Sequence, residues 1–341
     1  MGDTAKHEEL AMPNARSELY DPRQGDHALR LESIAAGPEA FEPARTNRFS
    51  LFGITEGHGT FSADSAHHEF QAPALLCFKP YQYIRLEPRT AWRADVIQFH
   101  ANFLCVETFH AEVGCAGLLF KDTYGLPVVP LDEASRGELE WLVERIKLEL
   151  ARDELAREEI LLAYMKVLLI LATRQKSSLV EADGAAADPS GDPIFEELTA
   201  LIEKHYQTLH IPADYARLLH STPKTLGRTV RKWLGKTLGE LIRERILTHA
   251  KWQLLHTLRP VKEIAREVGF QDELYFSRLF KKATGMSPTQ FREFETEIRG
   301  GSNLSMFLGD STIQETPTRS DNRVVRMKHS RRRKVRPRDP T

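Results

Sequence analysis

The alternation of apolar and polar positions changes period along this 341-residue chain. From residue 45 to about 129 the apolar runs are short: "RFSLFGI", "PALLCF", "YIRLEP" and "ADVIQFHANF", parted by turn residues such as Gly57-His58-Gly59 and Lys79-Pro80. Runs of this length between glycine and proline predict strands. In the last of them Val96, Gln98 and His100 share one face and Asp95, Ile97 and Phe99 the other, the two-residue period of a pleated strand. Many short strands at regular spacing predict a small antiparallel barrel or sandwich. Residues 1–28 show no period and predict a loose arm.

From Ser135 the period becomes helical. Ser135-x-x-Glu138 predicts a capping box opening a helix over "RGELEWLVERIKLELAR". A second helix, from about 154 to 175, carries the apolar stripe Ile160, Leu161, Tyr164, Val167, Leu168 and Leu171. Two such helices outside a small barrel can close a core or make a partner-helix interface, and a stripe this apolar favours self-association. Residues 177–192, "SSLVEADGAAADPSGD", have no apolar period and read as a linker. Asp192-Pro193 then gives an N-cap followed by proline at the first helical position, and the pattern stays helical to Ile298.

Within that helical stretch the chain repeats itself. Leu226-x-Arg228-x-Val230-Arg231-Lys232-x-x-Gly235-x-Thr237 recurs 50 residues later as Phe276-x-Arg278-x-Phe280-Lys281-Lys282-x-x-Gly285-x-Ser287. A short helix with an interior alanine precedes each copy, Ala216 in "DYARLL" and Ala265 in "KEIAREV". Two helix-turn-helix units fit this pattern. Thr222-Pro223 and Gln271-Asp272 start the second helices, and Gly235 and Gly285 end them. Between the units, Thr237-x-x-Glu240 opens a connecting helix reaching about His256, 19 residues or roughly 28 Å. Adding the half-width of each unit predicts second helices about 34 Å apart, one turn of B-DNA.

Charge sharpens this picture. The formal net charge is −1, yet residues 212–296 hold 16 lysines and arginines against 9 acids, and residues 299–341 hold 11 against 4. The excess is +7 in each, so a polyanion is the expected partner of the C-terminal third alone. On the second helices the outward positions nearest the N-terminal ends are Lys224, Gly227 and Arg228, then Glu273, Leu274, Ser277 and Arg278. Arginine there can pair with guanine, glutamate can accept from cytosine, and leucine can touch a thymine methyl, so all of these except Gly227 are candidate base contacts. Thr222, Arg231, Lys232, Lys281 and Lys282 are candidate phosphate contacts. For each the alternative is a solvated charge or an ion pair within the protein.

Other chemistries lack their residues. No GxSxG, HExxH, P-loop or GxGxxG signature occurs, and no catalytic residue is expected. His67 and His68 point to opposite faces of a strand, and His100 and His110 have no suitable partners nearby, so neither metal nor cofactor is expected. Cys77, Cys105 and Cys115 form no CxxC pair and read as reduced thiols. With no apolar run of membrane-spanning length and no hydrophobic core of a signal peptide, the expected location is cytoplasmic, with no membrane partner.

The repeat closely resembles the AraC/XylS family of bacterial transcription regulators. The second unit carries the fuller signature, Ile264-Ala265-x-x-x-Gly269-Phe270 and then Tyr275-Phe276-x-Arg278-x-Phe280-Lys281-Lys282-x-x-Gly285-x-Ser287-Pro288-x-x-Phe291-Arg292. The first unit matches through Leu226-x-Arg228 and Gly235, and the connecting helix through Arg245-Ile246-x-x-x-Ala250-x-x-Leu254-Leu255. The match covers roughly residues 192–294 and departs at Gly227, where family members often offer a base contact. The tail with "MKHSRRRKVRPR" has no counterpart in the pattern, and reads as disordered chain adding salt-sensitive DNA affinity.

The resemblance extends expectation to the N-terminal half, which looks like the cupin-like barrel and dimerisation helices of that family's effector module. Ligand would sit inside the barrel, with His58, Tyr83, Trp92 and His100 as candidate contacts. The expected fold is α+β and multidomain: an arm (1–28), a cupin-like effector and dimerisation domain (29–176), a linker (177–192), an all-α domain of two helix-turn-helix units (193–298) and a basic tail (299–341). The implied protein is a homodimeric regulator of double-stranded DNA answering to a small-molecule effector, with RNA polymerase a further candidate partner. The rivals are a cupin-type metal enzyme fused to a DNA-binding domain, and a DNA binder without an effector.

Overall fold

The computed structural model describes residues 17–104, 119–120, 124–182 and 192–299. Its N-terminal domain contains strands β1 (Leu29–Ala36), β2 (Phe49–Glu56), β3 (His58–Ala63), β4 (Ala66–Gln71), β5 (Ala74–Phe78), β6 (Ile84–Pro88) and β7 (Trp92–Phe99). A one-turn helix α1 (Ala101–Leu104) and a short β8 (Val128–Pro130) follow. All pairings between these strands are antiparallel, in one sheet of order β1-β7-β2-β5-β8 and another of order β4-β3-β6.

The alternation of side chains assigns each face of the larger sheet its own core. Phe52, Leu76, Phe78 and Val96 face the smaller sheet and meet Phe61, Phe70 and Leu86 there. Leu51, Leu75, Cys77, Ile97 and Phe99 face the other way and pack under two helices, α2 (Glu133–Leu150) and α3 (Arg157–Ala182). The helices bury Leu139, Leu142, Ile146, Leu161, Met165 and Leu168 against that face. Burial lifts the Cys77 thiol to about 12, which keeps it protonated and unreactive.

Several expectations need correction. Residues 17–28 are not a loose arm: Tyr20 is buried with its ring 4.7 Å from His100, and Ser17 bridges to Arg45. β1 is a strand that the apolar pattern does not predict. It lies at a sheet edge and loses burial along its length, so its alternation is faint. Helix α2 starts at Glu133 with Asp132 as its cap, accepting from the Ser135 amide. Ser135 therefore lies inside the helix, where its hydroxyl donates to Gln175. Helix α3 continues to Ala182, so residues 177–182 belong to it and not to a linker. The N-terminal residues 1–16 and the tail from 300 lie outside the described residues, as do Cys105, His110 and Cys115.

The C-terminal domain follows its predicted signals closely. Asp192 caps α4 (Pro193–His205), accepting from the Ile194 and Phe195 amides, and α5 (Pro212–Leu218) follows. Helix α6 (Pro223–Leu234) starts at cap Thr222 and ends at Gly235, which is left-handed with φ 62°. The capping box of Thr237 and Glu240 opens α7 (Leu238–His256), whose 19 residues are those expected. Helix α8 (Val261–Glu267), α9 (Glu273–Thr284, capped by Asp272) and α10 (Pro288–Ile298, opened by a Ser287–Gln290 capping box) are the last of the described helices. Both units close on one core that includes Ala216, Leu226, Val230, Ile246, Ala250, Ala265, Phe276 and Phe280. Among the described residues no helix is long and apolar enough to cross a membrane.

Candidate nucleic-acid interface

The two second helices, α6 and α9, are built alike. Each starts at a polar cap, buries an apolar pair four residues apart (Leu226 and Val230; Phe276 and Phe280), and ends at a left-handed glycine. The buried alanines, Ala216 and Ala265, admit the close crossing of α5 over α6 and of α8 over α9. The opposite faces are therefore forced outward. Lys224, Arg228, Arg231 and Lys232 are exposed on α6, and Leu274, Arg278, Lys281 and Lys282 on α9. Glu273 and Ser277 are half-buried beside them.

The electrostatics separate this surface from the rest of the domain. Among the described residues, Lys224, Arg228, Arg231, Arg278 and Lys281 make no ion pair, although basic and acidic residues pair freely elsewhere. Asp214 holds Arg217, Glu203 holds Arg245, Glu263 and Glu267 hold Arg259, and Glu244 holds both Lys79 and Lys236. The acids are thus consumed behind the two helices, leaving a cationic surface in front. Lys232 instead lies over the Trp233 ring, 4.1 Å from its centroid. The Trp233 indole N–H donates to Asp192 at 3.0 Å, and this bond, more than the amides of the α4 cap, holds the Asp192 carboxyl below its usual range.

Two side chains qualify the expectations. Thr222 is committed to the cap of α6, accepting from the Thr225 amide at 3.1 Å, and its hydroxyl is shared with that of Thr225 at 2.9 Å. Tyr275, 51% exposed beside Leu274 at 73%, is an outward aromatic that the contact set omits. The repeat could have found it, because the same offset leads back to Thr225, also exposed.

The four effector candidates do not converge. His58 is exposed where β3 begins, and Trp92 lies between the sheets with its ring 5.4 Å from Phe41. Tyr83 is held near Glu42 and Arg85, its phenol pushed up by burial and by Glu42. His100 lies against α10, with its Nε2 3.6 Å from Glu295. Among the described residues no group of three or more histidine, cysteine or acidic side chains could hold a metal ion.

This arrangement defines a double helix-turn-helix domain of the DNA-binding class. A family model described as a helix-turn-helix domain matches residues 215–293. The arabinose operon regulatory protein of Escherichia coli (strain K12) is 33% identical over 114 residues, which span 33% of this chain and 39% of that protein. The chain thus matches well under half the length of this relative. The transcriptional activator RhaR of Klebsiella pneumoniae is 24% identical over 219 residues, 62% of this chain and 75% of that protein. The solved C-terminal domain of AraT, a response regulator from Geobacillus stearothermophilus, is 35% identical and covers 30% of this chain and 85% of that one, at a TM-score of 0.29. The C-terminal domain is thus similar to the helix-turn-helix domains of these regulators.

Proposed function

We propose that the chain is a transcription regulator that reads two successive major grooves of double-stranded DNA, one with α6 and one with α9. The observation that carries this is the pair of equivalent helices on which Lys224, Arg228, Arg231, Arg278 and Lys281 are exposed and make no ion pair among the described residues, while Asp214, Glu203 and Glu263 behind them are engaged with other partners. Arg228 and Arg278 contact bases, with Lys224, Glu273, Leu274 and Ser277 beside them. Arg231, Lys232, Lys281 and Lys282 hold phosphates, and Thr222 sets the start of α6. The connecting helix α7, with its 19 residues, has the length to span about one DNA turn between the two helices.

In this reading the N-terminal domain is a cupin-like effector module. Trp92 suits a ligand contact best of the four candidates, because its buried indole N–H has no acceptor among the described residues. Trp141 and Val167, large apolar residues exposed on α2 and α3, support a homodimer built on those helices. The protein works in the cytoplasm without catalysis, and RNA polymerase is its further partner.

The test is selection of bound fragments from random DNA with the full chain, followed by affinity measurements across a salt series. The expected outcome is a recurring site with two contacted segments about one turn apart. It should also show a steep fall of affinity with salt, as counterions are released from neutralised phosphates. Enrichment of a single short segment would overturn the two-groove reading.

A further inference from the structure

We infer that Tyr81 and Glu295 are positioning residues for DNA reading, through which the N-terminal domain braces both helix-turn-helix units and sets the spacing of the two DNA segments they read together. This rests on the DNA-reading function proposed above.

The two units are joined by α7, and their ends also meet where the His210 and Phe270 rings lie 5.0 Å apart. The N-terminal domain adds ties to both. At the first unit, the His67 amide on β4 donates to the Gly235 carbonyl at 3.3 Å, at the end of α6. A Cβ at Gly235 would lie 2.1 Å from the His67 carbonyl oxygen, so this approach needs glycine for space as well as for its left-handed backbone. On α7, Glu244 takes Lys79 from the β5–β6 loop at 2.8 Å and Lys236 at 2.6 Å.

The tie to the second unit is the deepest. Tyr81, from the same loop, is buried in the C-terminal domain's own core, with its ring 5.3 Å from Phe291. Its hydroxyl donates to the Glu295 carboxylate on α10. Glu295 is buried, and His100 Nε2 lies 3.6 Å from its other oxygen. Asn102 donates to the Ile298 carbonyl at 2.9 Å, and Arg23 pairs with Glu297, so the end of α10 is held at several points. Tyr81 has a left-handed backbone, φ 68°, which a bulky side chain avoids unless its surroundings demand it. Its amide donates to the Thr46 carbonyl at 2.7 Å, so its own domain holds the turn while its ring enters the other domain's core.

None of these contacts uses a DNA-facing position. They meet the far end of α6, the flank of α7, and α10, while Lys224, Arg228 and Arg278 stay exposed. The N-terminal domain therefore acts as a brace and not as a block. Since it grips both units, it restrains their separation as seen by the duplex.

The test uses the full chain and the site it selects, together with versions of that site in which one base pair is inserted or removed between the contacted segments. The wild-type chain should lose about tenfold in affinity for the altered sites, comparable to one mismatched base pair. Tyr81→Ala should bind the selected site within about threefold of wild type, yet lose less than about twofold on the altered sites. Tyr81→Phe, which keeps the ring in the core, should fall between the two, and Glu295→Gln, still able to accept from Tyr81, should behave as wild type.

A tenfold spacing penalty that survives in Tyr81→Ala, or in Tyr81→Phe should the first variant not fold, overturns the brace. So does a parallel loss on all sites, which marks a merely structural role. Failure of the wild-type chain to select any DNA overturns the DNA-reading conclusion, and the brace with it.

Discussion

Arg278 and Lys281 stand three residues apart on the exposed side of α9, and their removal should be felt differently. Arg278 lies in the first half of α9, and in the proposed reading its guanidinium grips a guanine edge with two hydrogen bonds. Arg278→Ala should cost roughly 1–3 kcal/mol on the selected site and relax discrimination at one base position. Lys281 lies further along α9, and the proposed reading gives it a phosphate. Lys281→Ala should weaken all sequences alike and reduce the salt slope by about 1. Equilibrium binding to the site and its single-base variants, over a salt series, separates the two roles. If Arg278→Ala lowers affinity equally for every sequence, it too is a phosphate contact. These residues are legible in the sequence because two copies of one pattern show which positions are spared from the core. The effector candidates have no such copy. Strand alternation says that Trp92 or His100 turns inward, but not that Phe52, Phe61 and Phe78 fill the space between the sheets, nor that His100 faces a different domain.

Helix ends that carry one clear cap are read correctly, and those where two caps compete or a polar run continues the helix are not. Thr237 and Glu240 begin α7, and Gly235 and Gly285 end α6 and α9, because each supplies a partner or a backbone conformation that the helix end requires. At α2 two caps compete three residues apart, and Asp132 prevails over Ser135. At α3 the polar run "KSSLVEA" looks like linker, yet it continues the helix to Ala182. The same logic gives a prediction for α6. Gly227 sits in the helix interior, and a Cβ built there meets nothing within 4 Å. Gly227→Ala should therefore stabilise the chain by about 0.5–1 kcal/mol, through the conformational entropy that glycine loses on folding. Urea unfolding measures this, and affinity for the selected site should stay unchanged. A loss of stability would mean that the helix is closely covered at this point.

The contact between domains is the part of the molecule least legible in the sequence, because its partners are remote: Tyr81 and Glu295 are 214 residues apart. It also contributes to how the chain responds to acid. Burial alone would raise the Glu244 carboxyl, but the ammonium groups of Lys79 and Lys236 reverse this and hold it at about 2, against an ordinary 4.5. Such a difference is worth roughly 3 kcal/mol. With 27% of the side chain exposed, screening trims it to about 2 kcal/mol. The sign follows from proton binding. Between 4.5 and 2 the unfolded chain takes up a proton at this site and the folded chain does not, so stability is complete above pH 4.5 and is lost as pH falls towards 2. Glu295, lowered by His100, Arg299 and Tyr81 against its own burial, adds in the same direction. Glu244→Gln should remove this contribution at neutral pH, since the amide leaves two lysines facing each other without a counter-charge. Thermal unfolding of the full chain should then show a lower midpoint for Glu244→Gln at pH 7, and a gap to wild type that narrows as pH falls below 4.5. A gap that stays constant across that range would mean that Glu244 acts through packing, and that its charge does not hold the domains together.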